Sequence, residues 1–228
     1  MPTAVLIDGG FFLKAYQRCY PGAEKHSPKE VARTMHELAC RHAGAEANAE
    51  SDQLYRIFNY DCPPLTKKAH NPITKKSIDF SQTPVAVFRF ELFKELKHLR
   101  KVALRLGHLH DAGTWTIRPR QTKELLNGGM TIASLKDDDV YYDVRQKGVD
   151  MRIGMDIAAM SYRRLVNRMV LISGDADFIP AAKLARREGI DFVLDPMWNP
   201  IDDALLLHID GIQTFSPRPV RKEPESPG

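Results

Sequence analysis

The amino-acid sequence predicts an open α/β sheet with helices on both faces, and three observations carry that prediction. The chain opens with a short continuous apolar run, Ala4-Val5-Leu6-Ile7, stopped by Asp8-Gly9-Gly10. That is the pattern of a strand buried on both sides in a parallel sheet. From residue 151 onward, helical and strand patterns alternate with short connections. A length of 228 residues, with 43% hydrophobic and 27% charged residues, suits a soluble chain built around one sizeable core.

The remaining elements follow in order. A first helix covers residues 11–18. Ser27-Pro28-Lys29-Glu30 starts a second, with Ser27 as cap, Pro28 in the first turn and Glu30 closing a capping box. Val31, Met35, Leu38 and Ala39 then recur at helical spacing. Residues 54–60 form a second strand, closed by Asp61-Cys62-Pro63-Pro64. A basic polar loop with Lys67, Lys68, Lys75 and Lys76 leads to a helix over 88–101, a strand over 102–106, and a fourth strand over 114–118 paired antiparallel with it. Residues 119–147, including Asp137-Asp138-Asp139, read as a surface insertion. Helix 151–165 precedes strand 169–173, helix 178–188 precedes strand 190–194, and a short helix near 203–208 precedes a last strand near 212–215. The pattern gives a single domain over 1–216. A tail over 217–228, rich in Pro, Glu, Lys and Arg, is expected to be disordered.

Composition excludes several classes of function. The 14 Gly and 15 Pro do not form collagen-like or low-complexity sequence. No run approaches the roughly 18 apolar residues that span a bilayer, so no membrane partner is expected. The first residues lack the basic segment of a secretory signal. Cys19, Cys40 and Cys62 are odd in number and far apart, which argues against a disulfide framework or zinc knuckle and suits a reducing cytoplasm. A net charge of +4 is compatible with a polyanionic partner.

Ligands of open α/β sheets bind beyond the carboxyl ends of the strands. Acids gather at that edge in this sequence. The first strand ends at Asp8, and strand 169–173 runs into Ser173-Gly174-Asp175-Ala176-Asp177-Phe178. A third acidic site, Lys147-Gly148-Val149-Asp150, precedes a helix that carries Asp156. Converging aspartates repel one another, and a bound divalent cation or a raised pKa relieves the repulsion. Asp156 lies roughly 60° from the apolar line through Ile153, Ile157 and Met160, where a carboxylate needs a partner. Asp150 and Asp156 are about 120° apart on a regular helix, so both reach one ion only if Asp150 lies in the cap or preceding loop. Each acid also has a plainer reading: Asp8, Asp150 and Asp177 as helix caps, and Asp175 as a turn residue. Three separate caps and a turn residue need not all fall on the ligand edge.

Val5-Leu6-Ile7-Asp8-Gly9, Lys147-Gly148-Val149-Asp150 with Asp156, and Leu171-Ile172-Ser173-Gly174-Asp175-Ala176-Asp177-Phe178 with Gly189 resemble the NYN-domain family, nearest its bacterial LabA-like branch within the PIN-like nuclease superfamily. The resemblance runs in order from about residue 3 to 215, with Tyr60-Asp61 and Arg105-Leu106-Gly107 in the same style. It implies a PIN-like three-layer α/β/α sandwich with a mostly parallel sheet, Rossmann-like in layout. It also implies an Mg²⁺- or Mn²⁺-dependent ribonuclease that uses metal-activated water and leaves 5′-phosphate and 3′-hydroxyl products. By motif position Asp8, Asp150 and Asp175 would be the catalytic and metal-binding centre, with Asp156 and Asp177 as additional metal ligands. Many members carry Asn where this chain has Phe11, so a polar group near substrate is missing here.

The expected partner is RNA, single-stranded or structured, with a homo-oligomer possible. Lys147, Lys14, Arg105 and Arg152, with Arg18, are candidate phosphate contacts. Ser173 sits at the substrate loop, where it shapes the turn; no neighbouring base marks it as a nucleophile. Phe11, Phe12, Tyr16 and Trp198 are candidates for stacking unpaired bases, although Phe11 and Phe12 better fit a helix packed on the sheet. Arg163, Arg164, Arg186 and Arg187 suit solvated helix faces, and His108 and His110 share one side of a strand. Two other functions remain open: a non-catalytic RNA- or protein-binding regulator that keeps the fold, and a small-molecule phosphatase. The haloacid-dehalogenase type of phosphatase needs a second Asp at position 10, which here is Gly. No glycine-rich dinucleotide or P-loop fingerprint is present.

Overall fold

The first apolar run becomes β1 (Thr3–Asp8), whose side chains alternate between two buried faces. Val5 and Ile7 enter one core, Ala4 and Leu6 the other. The structure, a computed structural model, describes residues 2–44 and 53–219. Among the described residues the central sheet has six strands in the order β10 (Gly211–Ile212), β9 (Asp191–Asp195), β8 (Arg168–Ile172), β1, β2 (Leu54–Asp61) and β5 (Val102–Leu106). Every neighbouring pair is parallel.

Parallel neighbours require crossover connections, and these put helices on both faces. On one face α1 (Gly9–Cys19), α2 (Pro28–His42) and α3 (Pro84–Lys97) pack Phe12, Met35 and Leu92 against Val5 and Ile7. On the other, α5 (Val149–Tyr162), α6 (Ile179–Arg187) and α7 (Asp203–Leu206) pack Ile153, Ala182 and Leu205 against Ala4 and Leu6. This is the predicted three-layer α/β/α sandwich. The α2 start is the predicted capping box: Glu30 N donates to Ser27 Oγ at 3.3 Å, and Ser27 N donates to Glu30 Oε2 at 2.7 Å.

Between Asp61 and Val149 the structure departs from the sequence reading. The basic loop contains a small hairpin of β3 (Lys68–His70) and β4 (Ser77–Asp79). Helix α3 starts four residues before the predicted boundary because Thr83 caps it, accepting from Ala86 N, with Pro84 at its first position. The predicted pairing of 114–118 with 102–106 does not occur. The strand is longer, β6 (His108–Ile117), and its antiparallel partner is β7 (Val140–Lys147). Nearness in sequence suggested the wrong partner, because α4 (Pro119–Leu126) and two short 3₁₀ turns separate the true one. The supposed insertion therefore ends in a strand, its last eight residues being β7, and only residues 119–139 project between β6 and β7. Residues 217–219 of the tail carry no regular structure, and 220–228 lie outside the described residues.

Gly107 is the junction that returns this excursion to the sheet. Its N–H donates to Asp61 O at 2.7 Å, and a Cβ there would stand 2.6 Å from Lys147 O. That approach holds the end of β7 against the end of β5. Gly148, at φ 79°, then turns the chain into α5 and sets Asp150 at the sheet edge. Replacing Gly107 with Ala pushes a methyl group into a backbone carbonyl and is expected to cost about 1–3 kcal/mol in urea unfolding. Gly154 lies inside α5 with open space around it, so Gly154→Ala is expected to gain up to about 1 kcal/mol in the same assay.

Candidate active site

Asp8 is both the last residue of β1 and the N-cap of α1, its Oδ1 accepting from Phe11 N at 3.0 Å. The next strand in the sheet, β8, ends in the Ser173-Gly174-Asp175 turn. Ser173 is fully buried, and its Oγ accepts from Asp175 N at 3.4 Å. Asp175 in turn accepts from Asp177 N at 2.9 Å and caps a 3₁₀ turn, Ala176–Phe178, that feeds α6. Asp150 occupies the first turn of α5. The N-terminal ends of α1, α5 and the Ala176–Phe178 turn thus carry the acids, where unpaired N–H groups and helix dipoles favour negative charge.

The acids lie near enough to act on one another. Burial raises the pKa of Asp8 first, and the charges of Asp150 and Asp175 raise it further against the Phe11 and Gly10 N–H groups. Asp150 is raised by desolvation, then by Asp175 and Asp177. Asp8, Lys14, Gln146, Ser173, Asp175 and Asp202 are among the residues that line one cavity of about 740 Å³. Among the described residues, no three His, Cys, Asp or Glu side chains are close enough as they stand to enclose an ion. The array is open rather than a cage. Hard carboxylate oxygens in such an array suit Mg²⁺, which keeps several waters and binds through one or two carboxylates plus substrate phosphate.

Asp156 does not join this group. It lies within α5 with Asp150, so the two carboxylates diverge by about 120°. Its Oδ2 accepts from Tyr60 Oη at 2.9 Å and from Arg105 Nε at 3.1 Å. Arg105 is thereby committed to Asp156, and its guanidinium packs 5.3 Å from the Phe58 ring centroid. Arg152 Nε donates to Leu106 O, and Arg18 to the Asn199 side chain. Of the candidate cations, Lys14 lines the cavity, and exposed Lys147 ends β7 just before the turn into α5.

The aromatic candidates divide in the same way. Phe12 is fully buried in the core. Tyr16 is buried, stacked on Tyr20 and hydrogen-bonded to His26 Nδ1 at 2.7 Å. Trp198 Nε1 donates to Ser216 O at 2.9 Å, and the Arg218 guanidinium lies over its ring. Phe11, half-buried, does line the cavity, and its ring presses on Gly174, where a Cβ would stand 2.9 Å from it. His108 and His110 are exposed on β6, and Arg163, Arg164, Arg186 and Arg187 are exposed as expected. Lys67 is held by Asp111 and Tyr142.

Two residues at this edge were not among the expected site residues. Asp61 ends β2 beside Asp8, almost fully buried, with Arg89 Nη2 at 2.8 Å. Burial outweighs the pull of Arg89 and pushes its carboxyl up to about 6. Its position at a strand end was a usable signal. Gln146, on the cavity wall, had none, because its strand was unassigned.

The NYN-domain profile matches residues 78–198, more than half of the chain. The chain belongs to the NYN-domain family. NYN domains are PIN-like, and nucleases of this kind generally use divalent metal ions. The matched span includes Asp150 and Asp175 and begins after Asp8. Among solved structures, a protein of unknown function from Vibrio parahaemolyticus is similar at 13% identity and a TM-score of 0.42, over 94% of this chain and 93% of that one. No curated protein matches. No helix among the described residues is long and apolar enough to cross a membrane.

Two measurements test the electrostatics of this NYN site. Asp8→Asn keeps a capping oxygen but removes one of the opposed charges. Without metal at pH 7 it is expected to be more stable than wild type, on the order of 1 kcal/mol, while added Mg²⁺ stabilises wild type more than the variant. For Asp61, the folded protein binds the proton more tightly than the unfolded chain between pH about 4 and about 6. Its contribution to stability therefore falls as pH rises through that window. Relative to wild type, Asp61→Asn should gain up to about 1.4 kcal/mol per pH unit there, on top of a constant offset from losing the Arg89 pair.

Proposed function

We propose that this NYN protein, of the LabA-like branch, is a metal-dependent ribonuclease of the cytoplasm that hydrolyses RNA phosphodiester bonds at the Asp8–Asp150–Asp175 edge. The observation that carries the reading is the approach of acids from three separate elements: burial and neighbouring charges raise the pKa of Asp8 on β1 and of Asp150 on α5, and Asp175, in the loop after β8, is among the charges that raise both. Capping accounts for Asp8 and Asp175 one at a time, but not for bringing their charges within reach of Asp150. A divalent cation neutralises them and also suits an anionic substrate. The three buried, unpaired cysteines accord with a reducing compartment.

Asp8, Asp150 and Asp175 would hold Mg²⁺ or Mn²⁺ directly or through water, with Asp177 beside Asp175. When bound, the ion lowers the pKa of an attacking water and offsets charge developing on the phosphoryl and leaving oxygens. Lys14 brings positive charge to the cavity wall against the substrate phosphate, and Lys147 adds a second cation near Asp150. Ser173 fixes the loop through the Asp175 N–H, so its role is to orient Asp175 rather than to attack.

One observation favours a second reading, that of an RNA- or protein-binding regulator without catalysis. Phe11 stands where many family members carry Asn, and its ring covers Gly174 with no hydrogen-bonding group in that place. The discriminating assay is cleavage of a labelled single-stranded RNA in Mg²⁺ or Mn²⁺. Asp8→Asn, Asp150→Asn and Asp175→Asn are each expected to lose about 10²-fold or more in kcat. Asp156→Asn should cut near the wild-type rate and instead lose about 1 kcal/mol of stability through Tyr60 and Arg105. Salt-dependent RNA binding with no cleavage in any divalent ion would select the regulator.

A further inference from the structure

A second cavity, of about 580 Å³, opens beside the acidic one between α1 and α3. The two share Gly10, Lys14 and Gln146 as common wall, so one leads into the other. Leu13, Phe88 and Val85 form the apolar sides. Val85 is 69% exposed and Phe88 half-buried, although both belong to a helix whose other face supplies core residues. Gln17, Glu24 and His26 bring hydrogen-bonding groups to the same cavity. An apolar cleft with a few polar groups, of this volume, is the form of a small-ligand subsite.

Two features say what occupies it. Lys14 is exposed, makes no ion pair among the described residues, and stands where the two cavities meet. A cation at that junction suits a ligand with an anionic group there and a flat apolar body further in. The far wall is also held in place, because the Asp61–Arg89 ion pair ties α3 to the end of β2. An apolar peptide would use the sides of the groove but not its continuity with the acids.

We propose that the α1–α3 groove seats one nucleotide of single-stranded RNA adjoining the scissile phosphate, its base against Phe88 and Val85 and its phosphate on Lys14. The proposal takes its substrate class from the ribonuclease reading. A base in a groove beside an aromatic ring must be unpaired, so the groove selects single strands over duplex.

The test uses wild-type protein, Val85→Glu and Phe88→Ala with a short single-stranded RNA carrying 4-thiouridine, read by photo-crosslinking with peptide mapping and by equilibrium binding. Crosslinks are expected within residues 13–17 or 84–89. Val85→Glu places a carboxylate at an exposed position and should weaken binding about tenfold with its circular dichroism unchanged, as the loss of one seated base. Phe88→Ala should weaken it similarly, and duplex RNA should compete poorly. Crosslinks confined to other surfaces, with Val85→Glu binding as wild type does, overturn the groove even if Asp8-dependent cleavage is seen. Groove crosslinks and the affinity loss without any cleavage sustain the groove and overturn the nuclease. Failure of wild type to bind RNA at low salt overturns both.

Discussion

Negative charge gathered at the carboxyl edge of a parallel sheet is the constraint on which the rest of this structure depends. Asp8, Asp150 and Asp175 come from distant parts of the chain, and burial and their mutual repulsion raise the pKa of Asp8. The fold tolerates them through local compensation: N–H groups at the starts of α1 and the Ala176–Phe178 turn donate to Asp8 and Asp175, and Asp150 sits in the first turn of α5 at the positive end of its dipole. Such compensation is partial, and an acid cluster so placed costs stability that a purely structural edge would not give up. The proposed cation-dependent function would account for that cost.

The other elements serve to keep this edge in register. β1 sits between β2 and β8, so Asp8 lies beside both Asp61 and the Ser173 loop. Gly9 lies in such close quarters that a Cβ there would stand 2.9 Å from both the Asp61 carboxylate and Tyr60 O, which locks the start of α1 against the end of β2. The β6–β7 hairpin, peripheral to the sheet, returns through the Gly107–Lys147 contact and so delivers Gln146 to the cavity and Asp150 within electrostatic reach of Asp175. Elements that look decorative in topology are thus positional in function.

What could be read from the sequence was whatever had a local physical signature. The both-sides-buried strand at 4–7, the Ser27–Glu30 box, and the alternation after residue 151 depend on neighbours within a few residues, and each is found as expected. Asp8 and Asp175 were likewise legible, since an acid at the end of an apolar run falls on the ligand edge whatever the rest of the sheet does. The partner of β6 was not legible, because its pairing is closed by a connection of some twenty residues. Nor was the fate of Asp156, whose partners Tyr60 and Arg105 arrive from β2 and β5. Its border position on the helix pointed correctly to a needed partner but not to which one. Asp61 was within reach of the strand-end rule, since it closes the apolar run of β2 as Asp8 closes that of β1.

The most direct measurement is anomalous diffraction from crystals equilibrated with Mn²⁺. An ion is expected between Asp8 and Asp175, with carboxylate oxygens about 2–2.5 Å away or one water removed, and with Asp150 in its outer shell. An edge left without an ion at saturating Mn²⁺, or an ion found instead beside Asp156, would contradict the account.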